Sequence, residues 1–220
     1  MIIAIDGPAG AGKSTVAKIL AKKLGFLYID TGAMYRALTL KALDANIPVS
    51  DCEKISLLAD QVNIDLRNNP DGTLNVFLDG SDVSAEIRQP RITRFVSDIA
   101  KLKHVRQVMV SLQRQLGKRG NCVLDGRDIG TVVFPAAEFK FYIDAQSSER
   151  VNRRFKEMRA LGEQIAIADV KSDLANRDKI DSTRECSPLK QAEDAVYVDT
   201  TNLNIEEVVE VMLQRIKSNG

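Results

Sequence analysis

Residues 2–15, "IIAIDGPAGAGKST", restrict the fold of this chain more than any other stretch. The apolar run Ile2-Ile3-Ala4-Ile5 predicts a strand buried on both faces. The "VAKILAKKLG" after Thr15 carries Val16, Ile19, Leu20 and Leu24 at helical spacing and ends at Gly25. Between them lies G-x-x-x-x-G-K-S, with Gly7, Gly12, Lys13 and Ser14 in the fixed places. Glycines let such a loop fold back so that successive backbone N–H groups point into one concavity, and the helix that follows aims its positive dipole end at the same place. Gly7, Pro8, Ala9, Gly10, Ala11, Gly12, Lys13, Ser14 and Thr15 are therefore expected to hold a purine triphosphate with magnesium. Lys13 would reach the terminal phosphates and the Ser14 hydroxyl would take a Mg²⁺ position. A random chain of this length shows the pattern roughly once in a hundred trials.

The same loop serves GTPase switches, motor ATPases and small-molecule kinases, so the rest of the chain must discriminate. "DGRDIG" has the wrong spacing for a D-x-x-G switch, and no N-K-x-D guanine reader occurs. With 220 residues the chain fits one domain of ordinary size, short for a motor or transporter. Lys and Arg number 31 against 30 Asp and Glu, which gives no reason to expect a nucleic-acid or membrane surface. Any anion site must then be a local concentration of arginine. The opening "MIIAID" has no basic leader, and no segment approaches the roughly 18 apolar residues of a membrane span, so a soluble cytoplasmic protein is expected. Cys52, Cys122 and Cys186 have non-motif spacings and read as reduced, buried small side chains. His104, the one histidine, reads as a helix surface residue, which removes support for a Ser-His-Asp mechanism.

Further apolar runs at residues 26–29, 122–124, 139–143 and 195–198 join 2–5 as five candidate parallel strands with helical patterns between them. The expected architecture is an α/β fold with a five-stranded parallel sheet flanked by helices. Ligands of such sheets gather beyond the carboxyl ends of the strands, which brings Arg36, Arg127 and Asp128 beside the phosphate loop. The alternating "VNIDL" (62–66) and "TLNVFLDG" (73–80) flank the turn "RNNPDG", predicting a small antiparallel β insertion over the site. Residues 93–117 form an amphipathic helical stretch from which Ser97 and Arg106 could reach inward. "ERVNRRFKEMR" packs Arg150, Arg153, Arg154 and Arg159 into one short helix. Arg177, Asp181 and Arg184 share a face if their helix persists to Thr183.

Along nearly its whole length the chain resembles bacterial cytidylate kinases, nucleoside monophosphate kinases of the P-loop class. The matching segments are "IDGPAGAGKST", "DTGAMYRA", the β insertion, "DGRDIGTVVFP", "NRDKIDSTRECSPL" and "EDAVYVDTTNLNIEEVV". "DGRD-x-GTVVFP" with "R-D-x-x-D-x-x-R" separates this family from adenylate, guanylate and shikimate kinases. The resemblance implies transfer of the γ-phosphoryl group of ATP to CMP or dCMP by a monomer that uses Mg²⁺ and needs neither nucleic acid nor membrane. It implies that Arg36, Arg127, Arg177 and Arg184 grip the acceptor phosphate and the transferring group, with Lys13, Arg127, Arg177 and Arg184 as the catalytic set. Ser97, Arg106 and Asp128 would read cytosine, Arg177 and Asp181 would lie near the sugar, and Arg153 and Arg154 would be lid arginines over ATP. Thr31 stands where enteric members carry serine and keeps the hydroxyl expected at the substrate. Asp125 is expected to hold the loop or an outer-shell magnesium water. An NMP-binding subdomain at about 36–105 and a lid at about 150–180 would interrupt the single kinase domain.

Overall fold

The computed structural model describes residues 1–160 and 162–218. β1 (Ile2–Asp6) runs through the glycine loop into α1 (Lys13–Leu24), which ends where Gly25 adopts a left-handed φ of 67° and caps the last carbonyls. β2 (Leu27–Asp30) passes directly into α2 (Thr31–Asp44), because the Asp30 carboxylate accepts the Ala33 N–H at 2.8 Å. The insertion comprises α3 (Cys52–Gln61), β3 (Ile64–Asn68), β4 (Leu74–Leu78), β5 (Ser81–Asp82) and α4 (Pro90–Ala100), and α5 (Lys103–Gly117) leads back to the sheet. β6 (Cys122–Asp125) is followed by one π-helical turn at Ile129–Val133, then β7 (Phe139–Asp144), α6 (Ser147–Ala160), α7 (Ile167–Thr183), β8 (Val196–Asp199) and α8 (Ile205–Ser218).

All five expected runs become strands of one parallel sheet in the order β2-β6-β1-β7-β8. Its side chains alternate between two separate cores. Ile3, Ile5, Val123 and Phe141 point to α1 and α8, whereas Ala4, Ile29 and Leu124 point to α2 and α5. A strand buried on both faces reads as an unbroken apolar run, and this is why the periodicity of the sequence located these strands. The connection from β6 to β7 crosses β1, so the loops leaving β1 and β6 open side by side at the carboxyl end of the sheet.

Three expectations change. The insertion has a third strand, because Asp79 (φ 50°) and Gly80 (φ 88°) make a two-residue reversal that pairs β5 with β4. That sheet does not lie over the cleft. The Asn68 side chain accepts the Tyr28 N–H at 3.0 Å and donates to the Tyr28 carbonyl at 3.1 Å, which caps the free edge of β2. Second, the stretch 93–117 is two helices, since Leu102 turns extended (ψ 124°) between α4 and α5. The Arg106 guanidinium donates to the freed Ala100 carbonyl at 3.2 Å, so a side chain takes over the bond that the helix gives up. Third, of the three free cysteines only Cys122 is buried, while Cys52 is exposed. His104 is a surface residue as expected, hydrogen-bonded to Asp60 at 2.8 Å.

Candidate active site

A cleft of about 320 Å³ opens at the carboxyl end of the sheet between the glycine loop, α2, α4, the 126–128 loop and α7. Gly7 makes the first turn possible: its φ is 146°, and a Cβ there would stand 2.0 Å from the Ile143 carbonyl oxygen. Ala9, Gly10, Gly12, Lys13, Ser14 and Thr15 line the cleft, while Gly7, Pro8 and Ala11 are buried behind them and shape the loop. Lys13 is buried and donates to the Pro8 carbonyl at 2.6 Å.

Thr31, Arg36, Ser97, Arg106, Arg127, Asp128, Arg177, Asp181 and Arg184 all line this one cleft, although they come from five separate segments. α7 persists to Thr183, so Arg177 and Asp181 share a face and Arg184 caps the helix end. Arg127 Nε donates to Asp181 at 2.8 Å. Asp128 pairs with Arg106 Nη2 and lies 3.6 Å from Arg184 Nη2; all three side chains are buried. The Thr31 hydroxyl is occupied, donating to the Asp125 carbonyl at 2.6 Å, which ties the tip of β2 to that of β6. Of the two arginines expected over ATP, Arg154 lines the cleft and Arg153 does not. Arg153 instead bonds Glu149 and both the hydroxyl and the carbonyl of Thr200, fastening α6 to the end of β8.

Seven arginines and Lys13 face four aspartates and one glutamate in the lining, a local excess in a protein whose net charge is +1. These cations oppose one another. Burial and then Arg127 hold Lys13 well below the usual lysine range, and burial with Arg127 and Arg36 pushes Arg177 down to about 9. Asp181 resists its burial because Arg127, Arg177 and Arg184 hold it below the usual carboxylate range. Arg106 Nε, Arg177 Nε, Arg184 Nη2 and the Tyr35 hydroxyl are buried without a hydrogen-bond partner. A concave site with crowded cations and spare donors is built for a polyanion.

Asp125 joins three elements. Its carboxylate accepts from Ser14 Oγ at 2.7 Å and from the Tyr28 hydroxyl at 2.8 Å, and burial together with Asp30 pushes it up to about 6. No group of three or more His, Cys, Asp or Glu side chains among the described residues forms a metal cage. Tyr35, Arg88 and Asp178 were not expected from the sequence, and neither was the pairing of Arg150 with Asp178. Tyr35 and Arg88 line the cleft, whereas Arg150 donates to the Ala9 carbonyl at 3.0 Å and Asp178 accepts the Ala9 N–H at 3.2 Å. Tyr35 and Asp178 lay inside motifs already singled out, next to Arg36 and Arg177, while Arg88 carried no signal of its own.

Comparison with known proteins gives the family. The family described as "Cytidylate kinase" matches residues 3–218. A cytidylate kinase of Clostridioides difficile (strain 630) is 48% identical over 216 residues, covering 98% of each chain. One from Caldanaerobacter subterraneus subsp. tengcongensis is 51% identical over 217 residues, 99% of this chain and 95% of the relative. Among solved structures, an uncharacterized protein from Eubacterium ventriosum superposes with a TM-score of 0.54 at 11% identity, covering 99% of this chain and 98% of its own, a likeness of fold alone. With full-length identity near one half and its cleft arginines assembled at the end of a P-loop sheet, the chain belongs to the cytidylate kinase family.

Proposed function

We propose that the chain transfers the γ-phosphoryl group of ATP to CMP or dCMP, giving ADP and CDP or dCDP. The observation that carries this reading is the union, in one cleft, of the glycine loop with Lys13 and a second cationic set around the buried Arg106–Asp128 pair. A triphosphate fits the first and a nucleoside monophosphate the second. A CMP phosphate oxygen attacks the γ-phosphorus as the bond to the β-phosphate oxygen breaks. That oxygen is already ionised near neutral pH, so no general base is needed. Catalysis is then positioning and charge stabilisation, with Lys13, Arg127, Arg177 and Arg184 offsetting charge on the transferring group. Burial first and cation repulsion second depress Lys13 and Arg177, and an incoming polyanion offsets the repulsion.

Cytosine presents acceptors at O2 and N3 and a donor amine at N4. Arg106 can serve the acceptors and Asp128 or Ser97 the amine, whereas uracil places a carbonyl where the amine was and meets the carboxylate unfavourably. Arg36 holds the acceptor phosphate, and Arg177 and Asp181 lie toward the sugar. The site also fits Mg²⁺. Ser14 and Asp125 are hard oxygen donors bonded at 2.7 Å, and a carboxylate made reluctant to ionise by burial and Asp30 gains from a nearby cation. Ser14, supported by Asp125, would hold the ion, which would supply charge neutralisation to the phosphates of the donor.

Residues 36–105 act as the acceptor subdomain and 150–180 as a lid in this reading. α6 and α7 pack on a small core of their own, Val151, Met158, Val170 and Leu174 with Ala9 of the loop, which supports movement as a unit. In this reading the chain works as a cytoplasmic monomer whose partners are small nucleotides, with no need of nucleic acid or membrane. No helix among the described residues is long and apolar enough to cross a membrane. Coupled ADP-release assays with CMP, dCMP, UMP, AMP and shikimate test the assignment. Rapid release with CMP and dCMP is expected, and none with CMP would overturn it.

A further inference from the structure

Asp6 is a buried carboxylate that the mechanism above does not use. It ends β1, the central strand of the sheet, and is followed at once by Gly7 of the phosphate loop. It makes no ion pair among the described residues. Both its oxygens are spent on backbone: Oδ1 accepts the Ile129 N–H and Oδ2 the Gly130 N–H, each at 2.8 Å. Those are the first two amides after Asp128, at the start of the π-helical turn whose first carbonyl, that of Asp128, accepts from Val132 and Val133. Burying an unpaired carboxylate is expensive, and burial pushes this one up to about 7. A serine or asparagine could satisfy one such amide more cheaply, so what the carboxylate adds is a two-point hold on the turn. The turn has little room to slip, since a Cβ on Gly130 would stand 3.1 Å from Lys140 Cδ and 3.4 Å from Asp6 Oδ2.

We infer that Asp6 is a positioning residue for acceptor-base selection, fixing the backbone that presents Asp128 in the same rigid frame as the phosphate loop. This rests on the reading of Asp128 and Arg106 as the residues that face cytosine. A carboxylate can tell an amine from a carbonyl only if its angle and depth are fixed, because a loose one would turn toward Arg184 or out to solvent. With the Asp128 backbone held by the strand that opens the donor loop, the base reader and the phosphate cradle keep a constant separation, which in-line transfer needs.

The test compares wild type, Asp6→Asn, Asp128→Ala and the double variant for kcat/KM with CMP and with UMP, and for ATP affinity without acceptor. All are assayed well below each variant's melting midpoint. In Asp6→Asn the amide NH₂ confronts one of the two backbone donors. The expected result is a fall of about tenfold or more in CMP-over-UMP selectivity, carried mainly by KM for CMP, with ATP affinity held within about threefold. On the Asp128→Ala background the same substitution should change selectivity no further, a non-additivity that loss of stability alone would not produce. Gly130→Ala crowds the turn against Lys140, whose Cδ would stand 3.1 Å from the new Cβ, with Asp6 intact; it should shift selectivity the same way, so it carries the test if Asp6→Asn fails to fold. Equal losses with CMP and UMP, or unchanged selectivity in both Asp6→Asn and Gly130→Ala, would overturn the inference. Unchanged selectivity in Asp128→Ala would instead overturn the base-reader assignment on which it rests.

Discussion

At the scale of single residues, Asp128 is the most exposed to test. Its removal leaves Arg106 buried and unpaired, so Asp128→Ala should lower kcat/KM for CMP by about a hundredfold or more. ATP affinity, measured by calorimetry without acceptor, should change little, and equal losses at both sites would mean that Asp128 does not face the base. Arg153 and Arg154 make a sharper pair because they adjoin in sequence and divide in space. Arg154→Ala should raise KM for ATP, whereas Arg153→Ala should lower the melting temperature with kcat/KM almost unchanged, since its bonds run to Glu149 and Thr200. Sequence could not separate them. Both arginines sit on one helix turn, and only the packing of α6 on β8 decides which turns inward. Asp6 was equally silent, because one carboxylate at a strand end reads as the start of the loop, and its partners lie 123 and 124 residues away.

At the scale of elements, legibility followed the strength of the local signal. The strands of the parallel sheet were readable from apolar runs, and α1, β1 and the loop between them from the G-x-x-x-x-G-K-S spacing. The break between α4 and α5 was not, for neither Gly nor Pro marks it and the stabilising donor, Arg106, acts from the next helix. β5 was missed although Asp79-Gly80 is a strong reversal signal, because a two-residue strand leaves no alternation to notice. The loop-to-strand contact at Gly7 yields an element-scale prediction. Gly7→Ala puts a methyl group 2.0 Å from the Ile143 oxygen, so β1 and β7 or the loop must give way. The expected outcome is a loss of stability above about 2 kcal/mol by urea titration, and loss of the thermal shift that ATP induces. Retention of that shift would show that the loop tolerates the side chain.

For the whole molecule, two buried carboxylates set an unusual slope. Asp6 is raised to about 7 and Asp125 to about 6, from an ordinary 3.8, so between these limits the folded chain holds more protons than the unfolded one. Stability without nucleotide should therefore fall as pH rises from about 4.5 to about 7, and Asp125→Asn should flatten the slope. The surface aspartates held below their ordinary value act in the opposite sense only at lower pH, where the unfolded chain takes up protons first. A melting temperature by scanning calorimetry that rises with pH over that window would contradict this account. The hydrogen bond from Tyr28 to Asp125 has an optical consequence as well. The chain has four tyrosines and no tryptophan, and Tyr142 and Tyr197 stack on each other at the far edge of the sheet. Tyr28, its phenol donating to a carboxylate, and Tyr35, in the wall of the cleft, are then the chromophores nearest the chemistry. A ligand that draws Asp125 away changes the bond its carboxylate makes with the Tyr28 phenol and should change tyrosine emission, so occupancy of the glycine loop can be followed without a label.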